Sequence, residues 1–226
     1  MQKKKHDEHG QPLHTPHHPK QDFQVERIAF FSDAVYAIAI TLLVIEFKIP
    51  EVTKDTTAGE IWHQLLELKY KFFSLILSFT LITNYWVRHH LLFKHIHNYN
   101  KQIVVSNMMG LLPIIFFPFT TALFYASVEN KDVMLIATRL FLLNNIIAGG
   151  ASYYFYWTVM KRFKEITYPM EKKDQQVFEL ELFTMILSFL LTFILTFLLP
   201  LEYALFGILP MLFVNLWNKY FNKAAK

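Results

Sequence analysis

Hydrophobic residues are grouped into six long segments that are separated by short polar connections. The segments cover residues 27–49, 65–87, 103–126, 133–160, 178–199 and 202–218. An α-helix rises about 1.5 Å per residue, so roughly 20 residues cross the hydrocarbon core of a bilayer. The longest later connection, residues 161–176, is charged and too short for a soluble domain. The pattern therefore predicts an all-α membrane protein with six transmembrane helices per chain.

Composition agrees with this class. Of 226 residues, 54% are hydrophobic and 17% aromatic, which is high for a soluble domain. Cysteine is absent, so no disulfide, thiolate nucleophile or Cys-based metal site is predicted. Residues 1–22 are rich in Lys, His and Pro and are expected to be a disordered basic cytoplasmic tail rather than a signal peptide. We assign 23–221 to the six-helix membrane domain and 222–226 to a short basic cytoplasmic tail.

The cations predict the orientation of the chain. Most Lys and Arg residues lie in the N-terminal tail, the second and fourth connections and the C-terminus. The opposite connections carry Lys48, Lys54 and Lys131, which nearby carboxylates balance. Short cytoplasmic loops are enriched in Lys and Arg, so both termini are expected in the cytoplasm of a multi-pass protein of the cell membrane. The net charge of +4 then follows from topology, and no nucleic-acid partner is predicted.

Polar residues in the first segment indicate a functional helix. Arg27, Phe31, Ser32 and Asp33 lie at its cytoplasmic start and precede a nearly continuous apolar run. Arg27 and Asp33 are about 120° apart around a helix, which is unfavourable for a direct pair. An ionisable group at this depth is costly unless it faces protein or water. Partners are therefore expected on other helices.

A second polar set lies at the cytoplasmic end of the second segment. It contains Asn84, Trp86, His89 and His90, at the same membrane level as Asp33. We predict a bridge from Asp33 to His89 or His90, with Trp86 or Asn84 donating further hydrogen bonds. The alternative is that these side chains anchor the helix end among lipid headgroups, as Trp and His often do.

These motifs resemble the transmembrane protein 175 family, the endolysosomal potassium channels and their prokaryotic relatives. The run R-x-x-x-F-S-D at Arg27–Asp33 matches the family motif, N-Y-W-V-R-H-H at 84–90 resembles its second helix, and P-F-T at 118–120 resembles the end of its third. The chain carries one copy of the six-helix unit, as prokaryotic members do. The resemblance implies a homotetramer, without cofactor or resident metal, in which the first helix of each subunit lines a central pore.

The resemblance also assigns residues to the pore. Ile38, Leu42 and Ile45 are expected to form the hydrophobic constriction, and no T-V-G-Y-G filter is present in the sequence. Thr41 is expected to supply a modest preference for K⁺ over Na⁺ among permeant monovalent cations, unless its hydroxyl bonds the carbonyl of Ala37. Glu46 is expected to concentrate cations at the outer mouth, or to pair with nearby Lys48. Any apolar helix offers such a stripe, so periodicity alone favours a core or lipid-facing role, and only the resemblance in the motif favours the pore.

Two other classes of protein stay open at this point. A membrane metalloenzyme would use the histidines of the second segment and the connection that follows it, namely His89, His90, His95 and His97. A secondary transporter would need inverted repeats and broken helices with charges near the midplane, and neither is visible in the sequence. The expected function is a K⁺-permeable cation channel and not an enzyme.

Two later features are predicted to be structural. Gly149 and Gly150 allow close approach of helices, which is typical of helix packing in membranes. Glu179 and Glu181 are predicted to lie at the start of the fifth helix, where carboxylates favour the helix dipole.

Overall fold

The computed structural model describes residues 19–45, 52–128, 130–211 and 213–214. These residues are helical and contain no strand beyond one isolated bridge. The elements in chain order are α1 (Pro19–Ile45), α2 (Ala58–Glu67), α3 (Lys69–Phe93), α4 (Lys101–Ala126), α5 (Lys131–Trp157), a π-helical turn (Thr158–Arg162), a 3₁₀ turn (Lys164–Ile166), α6 (Lys172–Leu198), α7 (Leu201–Ala204) and a second 3₁₀ turn (Leu205–Ile208). The all-α fold class is confirmed.

Four helical stretches in this part of the chain are long and apolar enough to cross a membrane. They are Gln24–Ile45, Lys101–Ala126, Lys131–Arg162 and Lys172–Leu198. Helix α3 has a suitable length of 25 residues, but it carries Lys69, Lys71 and Arg88. The last predicted segment begins as a shorter apolar stretch, Leu201–Met211. Its remainder lies mostly outside the described residues, as do most of the N-terminal tail and the C-terminal tail.

The second predicted segment has the wrong start and end. Thr57 caps α2 through a capping box, in which its backbone N–H donates to Glu60 Oε2 at 2.8 Å and its hydroxyl accepts from the Glu60 N–H at 3.3 Å. Helix α2 therefore takes up Leu65 and Leu66, and α3 begins at Lys69 and continues to Phe93. The cap is a local signal for a separate short helix that hydrophobicity alone does not reveal.

Helix α4 is the centre of the bundle, because α1, α3 and α5 all pack against it, and α6 packs on α5. Large apolar side chains along α4, including Ile103, Ile114 and Phe117, are almost fully buried. The helix continues through Pro113 and Pro118. Pro113 supplies no N–H to the Met109 carbonyl of the preceding turn. Its own carbonyl accepts a hydrogen bond from Asn144 Nδ2 at 3.1 Å. This bond joins α4 to α5.

The connection between α5 and α6 is ordered rather than an open charged loop. Thr167 follows the two turns of this connection and pairs with Ile96 of the α3–α4 connection through an isolated bridge. Helix α6 then begins at Lys172, with Asp174 in its first turn. The prediction that Glu179 and Glu181 lie at the helix start is therefore wrong, because the helix begins two turns earlier than the apolar segment does.

Candidate functional site

Helix α1 has one buried stripe and one exposed stripe. Ser32, Tyr36, Ala39 and Leu43 are buried and recur every three or four residues, so they share one face. That face packs against α3 and α4. The helix therefore has a face that the protomer covers and another that it does not.

A buried polar cluster joins the covered face of α1 to α3 and α4. Asn107 Nδ2 donates to Ser32 Oγ at 2.9 Å, and Asn107 Oδ1 lies 2.7 Å from His89 Nε2. A carbonyl oxygen can only accept, so His89 carries its proton on Nε2. Ser32 Oγ also donates to the Ile28 carbonyl at 2.9 Å. The three side chains are buried, and their hydrogen bonds fix the relative positions of three helices.

Asp33 has a different partner from those in the cluster. Trp86 Nε1 donates to Asp33 Oδ1 at 2.8 Å, and the His90 ring lies 5.6 Å from the Trp86 ring. The predicted donation by Trp86 is confirmed. The predicted bridge from Asp33 to His89 is wrong, because His89 Nε2 is turned toward Asn107 and its ring is stacked 5.4 Å from Phe155. Asn84, the other proposed donor, is half-buried.

The first two residues of the motif point elsewhere. Arg27 and Phe31 are exposed on α1 and line an open groove with Tyr99 and Met108 of neighbouring elements. The motif is thus divided by helical geometry. Ser32 and Asp33 join α1 to its own bundle, while Arg27 and Phe31 remain on a surface of the protomer.

The side chains predicted to line the pore are on the uncovered face of α1. Ile38 is 58% exposed, Ile45 is 71% exposed, and Leu42 and Thr41 are also exposed. The Thr41 hydroxyl donates to a backbone carbonyl at 2.8 Å, but the acceptor is Ile38 and not Ala37. Its oxygen keeps lone pairs that could face a cation. Glu46 lies outside the described residues.

Sequence reasoning missed two partners on other helices, of which Asn107 is buried and Glu181 is half-buried. Asn107 completes the cluster with Ser32 and His89, and Glu181 lies 3.4 Å from Arg88 Nη2, where it partly neutralises a buried guanidinium. Both residues interrupt apolar segments. A polar side chain within a membrane helix is a candidate for a helix-to-helix contact, and that signal was present in the sequence.

The histidines considered for a metal centre have other contacts. His89 bonds Asn107, and the His97 ring packs 4.8 Å from that of Tyr168. Within the described part of the chain, no group of three or more His, Cys, Asp or Glu side chains is placed to hold a metal ion.

Known proteins share the part of the sequence that contains the cluster and the exposed stripe. The family model of the endosomal/lysosomal potassium channel TMEM175 matches residues 27–118, which include the cluster and the exposed stripe. A potassium channel of Streptomyces collinus is 28% identical over 131 residues, which are 58% of this chain and 62% of that protein. A potassium channel of Chamaesiphon minutus is 38% identical over 105 residues, 46% of this chain and 51% of that protein. The chain thus spans about half to three fifths of these relatives.

The fold is also found in a solved structure. The crystal structure of a lysosomal potassium-selective channel TMEM175 homolog from Chamaesiphon minutus matches with a TM-score of 0.67 and 22% sequence identity. The match covers 86% of this chain and 97% of that chain. The family model over residues 27–118 and the bacterial relatives confirm the resemblance drawn from R-x-x-x-F-S-D, and the solved structure shows that the fold is shared.

Proposed function

We propose that this protein is a K⁺-permeable cation channel of the cell membrane, with modest preference for K⁺ over Na⁺. Four copies would surround a pore lined by α1, and both termini would lie in the cytoplasm. The relatives named as potassium channels support the activity. The observation that carries the proposal is the uncovered apolar stripe of α1, on which Ile38, Leu42 and Ile45 lie opposite the face buried in the bundle.

This stripe has the chemistry of a hydrophobic constriction. Ile38, Leu42 and Ile45 are spaced four and three residues apart, so they follow one side of the helix over about 10 Å of its axis. Branched aliphatic side chains offer nothing to replace the hydration shell of an ion. A narrow ring of them loses water and closes the pore, whereas a wider ring passes partly hydrated cations. Selectivity would then depend on the nearby Thr41 hydroxyls and, at the outer mouth, on Glu46.

The polar cluster would have a mechanical role in this channel. Ser32 and Asp33 lie on the same helix as the stripe, and their bonds to Asn107 and Trp86 hold that helix against α3 and α4. We infer that they position α1 without contacting the ion. Its uncovered face is then free to meet the α1 helices of the other subunits.

The test uses purified protein in liposomes and a matched pair of substitutions. Ile38→Asn should wet the constriction and raise basal K⁺ flux, because an amide ring retains water where an aliphatic ring does not. Ile147→Asn on α5 is the control, since Ile147 is 51% exposed and carries the same polarity change outside the proposed pore.

Three results would contradict the proposal. Equal flux in Ile38→Asn and Ile147→Asn tetramers would remove Ile38 from the constriction. A particle without fourfold stoichiometry, measured by native mass spectrometry, would remove the tetramer. Saturable flux without unitary currents in planar bilayers would favour a secondary transporter.

A further inference from the structure

A cavity of about 700 Å³ opens at the end of the bundle where α3 and α5 finish. Asn98, Tyr99 and Asn100 form one wall, and residues 161–166 form the other. It shares Tyr99 with the groove beside Arg27 and Phe31, but none of the proposed pore residues of α1 lines it. The cavity therefore needs an explanation of its own.

Backbone hydrogen bonds hold the two walls together. The N–H groups of His97 and Asn98 both donate to the carbonyl of Ile166 at 3.3 Å, and the Tyr168 N–H donates to the His95 carbonyl at 2.6 Å. The π-helical turn closes on itself through the Phe163 N–H and the Thr158 carbonyl at 3.2 Å. These backbone bonds fix the two walls relative to each other within one protomer.

The lining of the cavity is basic. Lys161, Arg162 and Lys164 contribute cations and Glu165 a single carboxylate. Lys161 Nζ lies 2.7 Å from a Glu179 oxygen, which offsets its charge. The Arg162 guanidinium lies over the rings of Trp157 and Phe163, 5.7 and 5.5 Å from their centres. Arg162 and Lys164 therefore supply most of the positive field, and the stacked Arg162 is already oriented.

A basic cavity favours an anionic ligand, and the position of this cavity along α5 indicates that the ligand is a lipid headgroup. The apolar stretch Lys131–Arg162 ends at this site, and its last turns expose Tyr153, Tyr154 and Trp157. Exposed Tyr and Trp at the end of a membrane helix mark the level of the lipid headgroups. A free phosphate would gain nothing from these rings, whereas acyl chains could lie against them.

We propose that this cavity binds the headgroup of an anionic phospholipid, with Arg162 and Lys164 on the phosphate and the exposed aromatic residues of α5 beside the acyl chains. Basic pockets between membrane helices on the cytoplasmic side recognise acidic headgroups in this way. The site goes beyond the proposed channel function, and lipid binding can be measured whether or not the protein conducts K⁺.

The test measures lipid binding to the full chain in detergent by native mass spectrometry. Phosphatidylglycerol is titrated against phosphatidylcholine for the parent, for Arg162→Gln/Lys164→Gln and for the control Lys172→Gln/Lys173→Gln. The control removes the same charge from exposed residues that do not line the cavity. The parent and the control should prefer phosphatidylglycerol. The cavity variant should bind it roughly 25-fold more weakly, since each of the two removed cations contributes about a fivefold effect.

A second measurement does not depend on the folding of the double variant. Brominated phosphatidylglycerol should quench the part of the tryptophan emission that Trp157→Phe removes. Equal phosphatidylglycerol affinity in all three proteins, or a Trp157 signal that is not quenched, would overturn the proposal. Inorganic phosphate that competes fully with the lipid at equal concentration would assign the site to a free anion, and the lipid proposal would be wrong.

Discussion

Replacing Asn107 with Leu tests the polar cluster at its central member. Asn107→Leu removes the bonds to Ser32 and to His89 while nearly keeping the side-chain volume. Ser32 keeps its bond to the Ile28 carbonyl, so it loses little. His89 is 8% exposed and packs against the rings of Phe93 and Phe155, so water reaches its Nε2 poorly.

The magnitude follows from these contacts. An orphaned buried donor costs about 1–3 kcal/mol, and a hydrogen bond lost between membrane helices averages about 0.6 kcal/mol. We therefore expect Asn107→Leu to destabilise the protein by about 2 kcal/mol. For a chain of this size the loss lowers the Tm by roughly 4–8 °C, measured by thermal unfolding of the detergent-solubilised protein.

Asn144→Leu is the matched control. Asn144 is also buried, but its bond goes to the Pro113 carbonyl and its loss orphans no side chain. We expect about 0.6 kcal/mol for this variant. His89→Phe added to Asn107→Leu should recover stability, because replacing both partners leaves no unpaired group. If Asn107→Leu and Asn144→Leu unfold at the same temperature, the cluster does not stabilise the bundle and the reasoning fails.

Three further substitutions follow from the same contacts. Asp33→Ala leaves the Trp86 N–H unpaired and should reduce the tetramer yield or Tm before it alters selectivity, whereas Asp33→Asn keeps an acceptor and should cost less. A changed K⁺/Na⁺ permeability ratio with normal assembly would instead place Asp33 in the permeation path. Thr41→Val should reduce the reversal-potential shift under K⁺/Na⁺ bi-ionic conditions, and unchanged selectivity would exclude its hydroxyl. Gly149→Ala should destabilise the protein by about 1–3 kcal/mol, because its Cβ would lie 2.7 Å from the Ile186 side chain of α6. Gly150→Ala has open space around it and should be neutral or stabilising. Equal unfolding temperatures for the two variants would refute this contrast.

Several features were determined by the sequence alone, because they depend on local pattern. Apolar length and periodicity predicted the all-α class, and R-x-x-x-F-S-D at 27–33 indicated the resemblance to the TMEM175 family. The Asp33–Trp86 bond was one of two predicted donations, beside that from Asn84, since these residues lie at the same level of adjacent segments. The close approach at Gly149 followed from its lack of a side chain.

Tertiary structure decided which polar groups meet across helices. Rotation of α3 and α4 about their axes turns His89 toward Asn107 instead of Asp33, and a difference of one residue in position moves a side chain by about 100°. Glu181 lies inside α6 rather than at its start, and the packing of that helix brings it to 3.4 Å from Arg88 Nη2. Hydrophobicity locates a helix along the sequence, but the rotation of the helix is set by how all the side chains pack. That packing decides which polar groups on different helices meet.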